Sequence, residues 1–352
     1  MRQTSVMKAG WIAGLTLGVT IASSQVQFAQ QAPQPAATPA AGPQAPRGGG
    51  QRGPDPRVQQ RTYLFAETNE QMPYALYVSS KVTKDKKNPL IVALHGLGGT
   101  QNTMVGASYG AIDLAEQGGY IYVSPMGYSC GGWYGIPVGA PRGGGAGGGA
   151  GRGAGGPAGA GAPPAAAPQG AALQGGAPQA AAPQRGAGGR GGGGGCVGGG
   201  TAVTDAAKVR EMSEKETMQV LDLIRKEFNV DERRIYLFGH SMGGAGTYYL
   251  ASKYPNIWAA IGPVAPAAMG MTNNRTEVLQ PIKNAGIPML ISMGDADEAV
   301  PVANVRTWVE TMKELQMNYE YKEYPGVSHG PIIGASMADV FKFFDKHSKP
   351  AR

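Results

Sequence analysis

The stretch RIYLFGHSMGG, residues 234–244, runs from an apolar segment directly into a serine placed between glycines. Gly239, Ser241 and Gly243 form a G-x-S-x-G pattern, which needs small residues two positions either side of the serine because neighbouring chain comes too close for a Cβ. The sequence predicts a buried strand at residues 233–239 and a helix at 243–254, which is the context that the pattern requires. We therefore interpret Ser241 as a nucleophile; the alternative is a plain tight turn.

Predicted strands and helices alternate along the rest of the chain. A capping-box pair, Ser213 and Glu216, predicts the start of a helix that precedes the strand at 233–239. Further strands are predicted at 61–67, 73–79, 89–96, 120–125, 258–266, 287–294 and 319–325, and further helices at 109–117, 305–315 and 335–346. We expect the first two strands to be antiparallel neighbours. The alternation predicts an α/β fold, a mostly parallel central sheet with helices on both faces.

Two low-complexity segments separate the patterned regions and carry most of the positive charge. The net charge of the 352-residue chain is +7, and residues 1–60 and 140–200 hold nine Arg and Lys side chains with a single acid, Asp55. The remainder is close to neutral, so we expect no nucleic-acid partner. We expect a disordered tether at 25–60 and a disordered Gly/Ala/Pro-rich insert at 139–200, which interrupts one domain at 61–350.

The N-terminus is typical of an exported protein. Arg2 and Lys8 precede the apolar run AGWIAGLTLGVTIA, which predicts a signal peptide over residues 1–24, a secreted or periplasmic location, and no stable membrane span after cleavage. The alternative is an uncleaved membrane anchor. Cys130 and Cys196 bracket the predicted insert, and in an oxidising compartment we expect them to form a disulfide; two free thiols are the alternative.

A serine nucleophile needs a base, and the chain offers four histidines. His95 lies at the end of a central strand, His347 lies in the polar C-terminal tail, and the side chain of His240 should point away from the Ser241 hydroxyl. His329 follows the last predicted strand, at the carboxyl edge of the sheet where chemistry collects in such folds. Elimination therefore selects His329.

The base in turn needs an acid to orient it, and three candidates follow the strand at 287–294. Asp295, Asp297 and Glu298 are close together, and periodicity does not choose among them. The order serine, acid, histidine is the one found in α/β-hydrolases.

The oxyanion of an acyl transfer also needs backbone donors. The segment LHGLGGT at 94–100 could supply an N–H from Leu97 or Gly98, next to that of Met242. Trp133 and Tyr134 could line a substrate pocket or belong to the core. The scattered histidines and cysteines predict no metal site, and the chemistry requires no cofactor.

Four stretches together resemble the secreted esterase and depolymerase branch of the α/β-hydrolases: NPLIVALHGLGG, RIYLFGHSMGGAGTYYLA, GDADEAVP and GVSHG. That branch includes poly(3-hydroxybutyrate) depolymerase-like and feruloyl or acetylxylan esterase-like enzymes, and it is similar to dienelactone hydrolase and to prolyl oligopeptidase peptidase domains. The family's acid motif, G-x-x-D-x-x-V-P, falls here on Asp297, so the resemblance selects Asp297 over Asp295. It also implies Ser241 as nucleophile, His329 as base, and Leu97 and Met242 as oxyanion donors.

The resemblance implies a secreted serine hydrolase that cleaves small-molecule or polymer carboxylic esters through an acyl-enzyme, without a cofactor. Two alternatives stay open. One is a serine peptidase of the prolyl oligopeptidase kind, and the other is a catalytically silent exported binding protein.

Overall fold

The computed structural model describes residues 53–137, 198–268, 271 and 274–351. The predicted signal peptide, most of the predicted tether and insert, and Cys196 lie outside the described residues, so the expected disulfide stays a prediction. Within the described part of the chain, none of the helices combines the length and the apolar composition needed to cross a bilayer.

The strands of the described chain form one eight-stranded sheet in the order β1-β2-β4-β3-β5-β6-β7-β8. They are β1 (Gln59–Phe65), β2 (Glu70–Val78), β3 (Asn88–Leu94), β4 (Ile121–Pro125), β5 (Val230–His240), β6 (Ala260–Val264), β7 (Met289–Gly294) and β8 (Tyr319–Tyr324). As predicted, β1 and β2 are antiparallel neighbours; β2 also pairs antiparallel with β4, and every later pair is parallel.

Helices connect the parallel strands. They are α1 (Ala111–Gly118), α2 (Ala206–Glu227), α3 (Met242–Lys253), α4 (Arg275–Asn284), α5 (Val302–Glu314) and α6 (Ile332–Asp345). Every residue of β3, β4, β6 and β7 is buried. Successive side chains of a strand point to opposite faces, so both faces of the sheet are covered, as the sequence predicted.

The start of α2 corrects the predicted capping box. The helix begins at Ala206, and the carboxylate of Asp205 caps it by accepting a hydrogen bond from the Lys208 N–H at 2.9 Å. Ser213 and Glu216 are fully buried in the middle of α2. Ser213 accepts a hydrogen bond from the Tyr134 amide and Glu216 accepts one from the Gly127 amide, and both amides follow β4. The two side chains therefore bind another part of the chain and do not cap the helix.

The C-terminal ends of the predicted tether and of the predicted insert lie in the described structure. β1 begins at Gln59, and Pro54 forms a β-bridge with Gly106, so part of the predicted tether lies against the domain. At the end of the predicted insert, the N–H of Gly200 donates to the Tyr128 carbonyl at 2.7 Å.

Candidate active site

Ser241 lies at a sharp turn between β5 and α3. Its φ of 57° and ψ of −114° are strained for a residue with a side chain. The surrounding backbone holds the turn, because the Ser241 N–H donates to the Val264 carbonyl at 2.9 Å and the Ser241 carbonyl accepts from Ala267 at 3.0 Å. The turn places Ser241 at the carboxyl end of the central strand β5.

The glycines around Ser241 allow this turn to pack against the sheet. A Cβ on Gly239 would lie 2.4 Å from the Gly243 carbonyl oxygen, and a Cβ on Gly243 would lie 2.3 Å from the Leu94 carbonyl oxygen. Both distances are far below van der Waals contact with backbone atoms. The contacts thus account for the G-x-S-x-G spacing.

Backbone N–H groups face the same region. In the described chain, no acceptor is bonded to the amides of Leu97 and Met242, whereas the Gly98 amide donates to the Cys130 carbonyl at 2.8 Å. Of the two amides predicted as alternative oxyanion donors in this loop, that of Gly98 is therefore already engaged. Met242 begins α3, where the helix dipole also favours negative charge.

His329 is joined to the buried carboxylate of Asp297. His329 Nδ1 lies 2.7 Å from Asp297 Oδ2, and the Asp297 side chain has no exposed surface. The other oxygen, Oδ1, accepts hydrogen bonds from the N–H groups of Ala299 at 2.9 Å and Val300 at 2.8 Å. The carboxylate accepts at every contact, so Nδ1 carries the proton and Nε2 stays available to a reacting group.

The two other acidic candidates do not contact the histidine. Asp295 accepts a hydrogen bond from the Gly326 N–H at 2.6 Å on the protein surface, and Glu298 is exposed. A Cβ on Gly294 would lie 2.0 Å from the Val327 carbonyl oxygen, so this glycine lets the loop that carries His329 approach the end of β7.

Ser241 and His329 line one cleft of about 400 Å³. Its other lining residues are 96–100, Thr103, Tyr109, His240, Gly330 and Ile333. No hydrogen bond joins Ser241 to His329 in the described structure, a contact that in serine hydrolases often tightens only when substrate binds. Within the described ranges, the histidine, cysteine and carboxylate side chains form no group of three or more that could hold a metal ion.

The dienelactone hydrolase family matches residues 201–333, which carry Ser241, Asp297 and His329. An S-formylglutathione hydrolase structure from Agrobacterium tumefaciens aligns with a TM-score of 0.54 over 86% of this chain and 98% of that one, at 16% identity. A CE1 ferulic acid esterase from Anaeromyces mucronatus aligns with a TM-score of 0.51 over 86% and 93%, also at 16% identity. The chain has an α/β-hydrolase fold.

Parts of the chain are also similar in sequence to curated proteins that are named as esterases or cutinases. Cutinase 1 of Thermobifida cellulosilytica is 32% identical over 127 residues, which are 34% of this chain and 45% of the cutinase. A bifunctional acetylxylan esterase/xylanase of Neocallimastix patriciarum is 47% identical over 45 residues, 13% of this chain and 7% of that enzyme. The chain therefore spans less than half the length of these relatives.

Of the two roles left open for Trp133 and Tyr134, pocket lining or core, the structure supports the core for Tyr134. Both residues lie in a short 3-10 helix, and neither borders the cleft that Ser241 and His329 line. Tyr134 is fully buried, where its hydroxyl donates to the His95 carbonyl at 3.0 Å and its amide donates to Ser213 Oγ at 3.1 Å. The buried hydroxyl needs an internal acceptor, and this one joins the 3-10 helix to the segment 95–100 that follows β3.

His95 supports the segment 95–100 from inside. Its ring is fully buried, with Nδ1 2.8 Å from the Gly96 carbonyl oxygen and Nε2 2.9 Å from the Met126 carbonyl oxygen. Burial lowers the pKa of His95 below its ordinary value. The histidine therefore ties the end of β3 to the chain that follows β4.

The sequence did not predict the contacts of His240. The centroid of its ring lies 4.5 Å from that of His329, and its Nε2 lies 2.8 Å from the His329 carbonyl oxygen. The available signal was its position next to Ser241, but the partner lies 89 residues further along the chain.

Proposed function

We propose that the chain hydrolyses carboxylic esters with Ser241 as nucleophile, His329 as general base and Asp297 as the acid that orients the base. The observation that carries this proposal is the 2.7 Å contact between His329 Nδ1 and the fully buried Asp297 carboxylate, at the same cleft as the strained Ser241 turn. A buried carboxylate fixes the tautomer of the imidazole and stabilises its charged form.

Acylation follows from this arrangement. Ser241 Oγ attacks the ester carbonyl carbon while His329 Nε2 takes the hydroxyl proton. The carbonyl oxygen becomes an oxyanion, which the amides of Leu97 and Met242 stabilise. The intermediate then collapses, the carbon–oxygen bond to the alcohol breaks, and His329 gives its proton to the departing alcohol.

Deacylation repeats the sequence with water. His329 Nε2 takes a proton from the water as its oxygen attacks the acyl carbon, and the same amides hold the second oxyanion. Collapse breaks the bond to Ser241 Oγ, which regains the proton from His329. The carboxylic acid leaves, and no cofactor takes part.

We propose short acyl esters as the substrate class. The volume of the cleft, about 400 Å³, lies near the lower end of the range for small-molecule sites. Its lining includes the large side chains of Tyr109 and Ile333. Relatives named as a cutinase and an acetylxylan esterase support an ester rather than an amide. The signal-peptide pattern at residues 1–24 supports export, with Cys130 and Cys196 paired in the exported protein.

Hydrolysis of p-nitrophenyl esters of increasing acyl length tests this function, with Ser241→Ala as the inactive variant. The matched control is Ser108→Ala, since Ser108 is an exposed serine next to the cleft residue Tyr109. We expect activity that is highest on acetate or propionate, that Ser241→Ala removes, and that Ser108→Ala leaves unchanged.

A proline amide substrate tests the peptidase alternative in the same experiment. Cleavage of the amide without cleavage of any ester would replace the proposed esterase with a peptidase. A folded protein that cleaves neither substrate would refute a hydrolytic role on these substrate classes.

A further inference from the structure

The side chain of His240 connects three parts of the site. It belongs to the turn that carries Ser241, and its Nε2 lies 2.8 Å from the backbone carbonyl oxygen of His329. A carbonyl oxygen only accepts hydrogen bonds, so Nε2 carries the proton and donates. On its other side, a Cβ on Gly96 would lie 3.1 Å from His240 Nδ1. The ring therefore also packs against the start of the segment 96–100, which carries the Leu97 amide.

The contact is well placed to control the orientation of the base. The imidazole of His329 is held at Nδ1 by Asp297, but a single hydrogen bond leaves the ring free to swing about that nitrogen. The hydrogen bond from His240 holds the backbone from which the ring projects, and the two rings lie 4.5 Å apart at 46°. His240 is only 6% exposed, so water competes little for this donor.

We propose that His240 is a positioning residue of the hydrolase, which holds the His329 loop in register with Ser241 through its Nε2–H. This inference deepens the proposed function and rests on the roles given there to Ser241 and His329. His240 transfers no proton in it, because its donor nitrogen is used by a backbone carbonyl.

The electrostatics of the pair are consistent with this role. Burial, and then the neighbouring His329, lower the pKa of His240 to about 4. His240 therefore stays neutral while His329 becomes positively charged during each proton transfer, and the two rings do not repel each other. Asp297 and His240 are titratable side chains that contact His329 in the described structure, and Tyr109 lines the same cleft.

A positioning role predicts a loss of turnover rather than of substrate binding. Small displacements of a general base are costly, and a shift of about 1 Å can cost about a hundredfold in rate. We expect removal of the Nε2–H donor to lower kcat about ten- to a hundredfold and to change KM less than about threefold.

The decisive experiment compares His240→Gln with His240→Met, two side chains of similar length of which only glutamine can donate a hydrogen bond. His240→Phe is a third variant that keeps a ring without a donor. The matched control is His347→Phe, since Nδ1 of His347 also lies 2.8 Å from a backbone carbonyl oxygen, that of Phe343, in the C-terminal segment. Each variant is measured for kcat, KM and thermal unfolding.

We expect His240→Gln to recover most of the turnover that His240→Met and His240→Phe lose, and His347→Phe to retain wild-type kcat. Equal turnover in the Gln and Met variants would overturn the proposal. So would a loss of activity in His240→Met that lies in KM rather than in kcat, or one that only follows its loss of thermal stability.

The rate at which a fluorophosphonate probe labels Ser241 separates this proposal from the proposed substrate class. Labelling depends on Ser241 and its base but not on the choice of ester. If the wild-type protein is labelled but hydrolyses no ester, the esterase proposal fails, while slower labelling of His240→Met than of His240→Gln still supports the positioning role. Equal labelling rates of these two variants refute that role.

Discussion

Replacing Asp297 with asparagine should abolish turnover through a change of tautomer, with little change in shape. Oδ1 of Asp297 accepts from two backbone N–H groups at 2.9 and 2.8 Å, and Oδ2 faces His329 Nδ1 at 2.7 Å. An asparagine amide has one oxygen and one NH2 group. If its NH2 faced the two backbone donors, two buried hydrogen bonds would be lost, at about 1–3 kcal/mol for each unsatisfied group.

In the Asp297→Asn variant, the amide oxygen therefore stays at the position of Oδ1, and the NH2 group points at His329. Nδ1 must then accept, which moves the imidazole proton to Nε2, the nitrogen that has to take the proton of Ser241. We expect kcat/KM of Asp297→Asn to fall about 10⁴-fold, or about 5 kcal/mol of transition-state stabilisation.

Asp295→Asn is the matched control for this prediction. Asp295 uses one oxygen to accept from the Gly326 N–H, and the asparagine oxygen can keep that bond at the exposed site. Its activity should change less than about threefold. Initial rates on p-nitrophenyl acetate measure both variants, and circular dichroism melting checks that each is folded. The reasoning fails if Asp297→Asn keeps more than about a tenth of the activity, or if both substitutions cost the same.

Three further substitutions test the surroundings of the site. Gly243→Ala places a Cβ 2.3 Å from the Leu94 carbonyl oxygen and should destabilise the fold by about 3 kcal/mol or more in urea unfolding; an unchanged midpoint would contradict the close approach. Tyr134→Phe leaves the His95 carbonyl without its donor and should cost about 1–2 kcal/mol by the same measurement, whereas a neutral result would mean that the hydroxyl does not support the loop. Burial raises the pKa of Glu216 to about 8, so the stability that its neutral form contributes is complete below about pH 4.5 and is lost as pH rises through about 8. Glu216→Gln should therefore gain stability relative to wild type from about pH 5 to about pH 8, and a difference independent of pH would refute the raised pKa.

The order of strands and helices was readable where local patterns were strong. β3 and β7 are mainly apolar, β5 contains an apolar run at residues 235–238, and each strand matches its predicted bounds to within a few residues. α4 was not predicted, since it contains Pro281, which sequence rules treat as a helix breaker. The start of α2 was misplaced because Ser213 and Glu216 fit the capping pattern while Asp205 performs the capping.

Some residues of the candidate site could also be recognised from local sequence patterns, whereas others depend on tertiary contacts. Ser241 was recognised because a strained turn between a strand and a helix needs glycines at fixed spacing, which is a local requirement of the backbone. Periodicity could not separate Asp297 from Asp295, because the difference between them is a tertiary contact. Asp297 contacts the His329 ring, whereas Asp295 accepts a hydrogen bond from the Gly326 amide. For Tyr134 the sequence left both a pocket and the core open, because its burial against His95 was invisible in the sequence.

The sequence by itself determined the α/β class, the antiparallel first pair of strands and the place of the serine turn, since apolar periodicity and glycine spacing act over a few neighbouring residues. Only the tertiary structure showed that Asp297 contacts His329, that the Gly98 amide is already bonded, and that His240 donates to the His329 backbone. These contacts join residues that are between 32 and 89 positions apart in the chain. Their geometry depends on how the strand ends are brought together by the packed sheet, which no local pattern encodes.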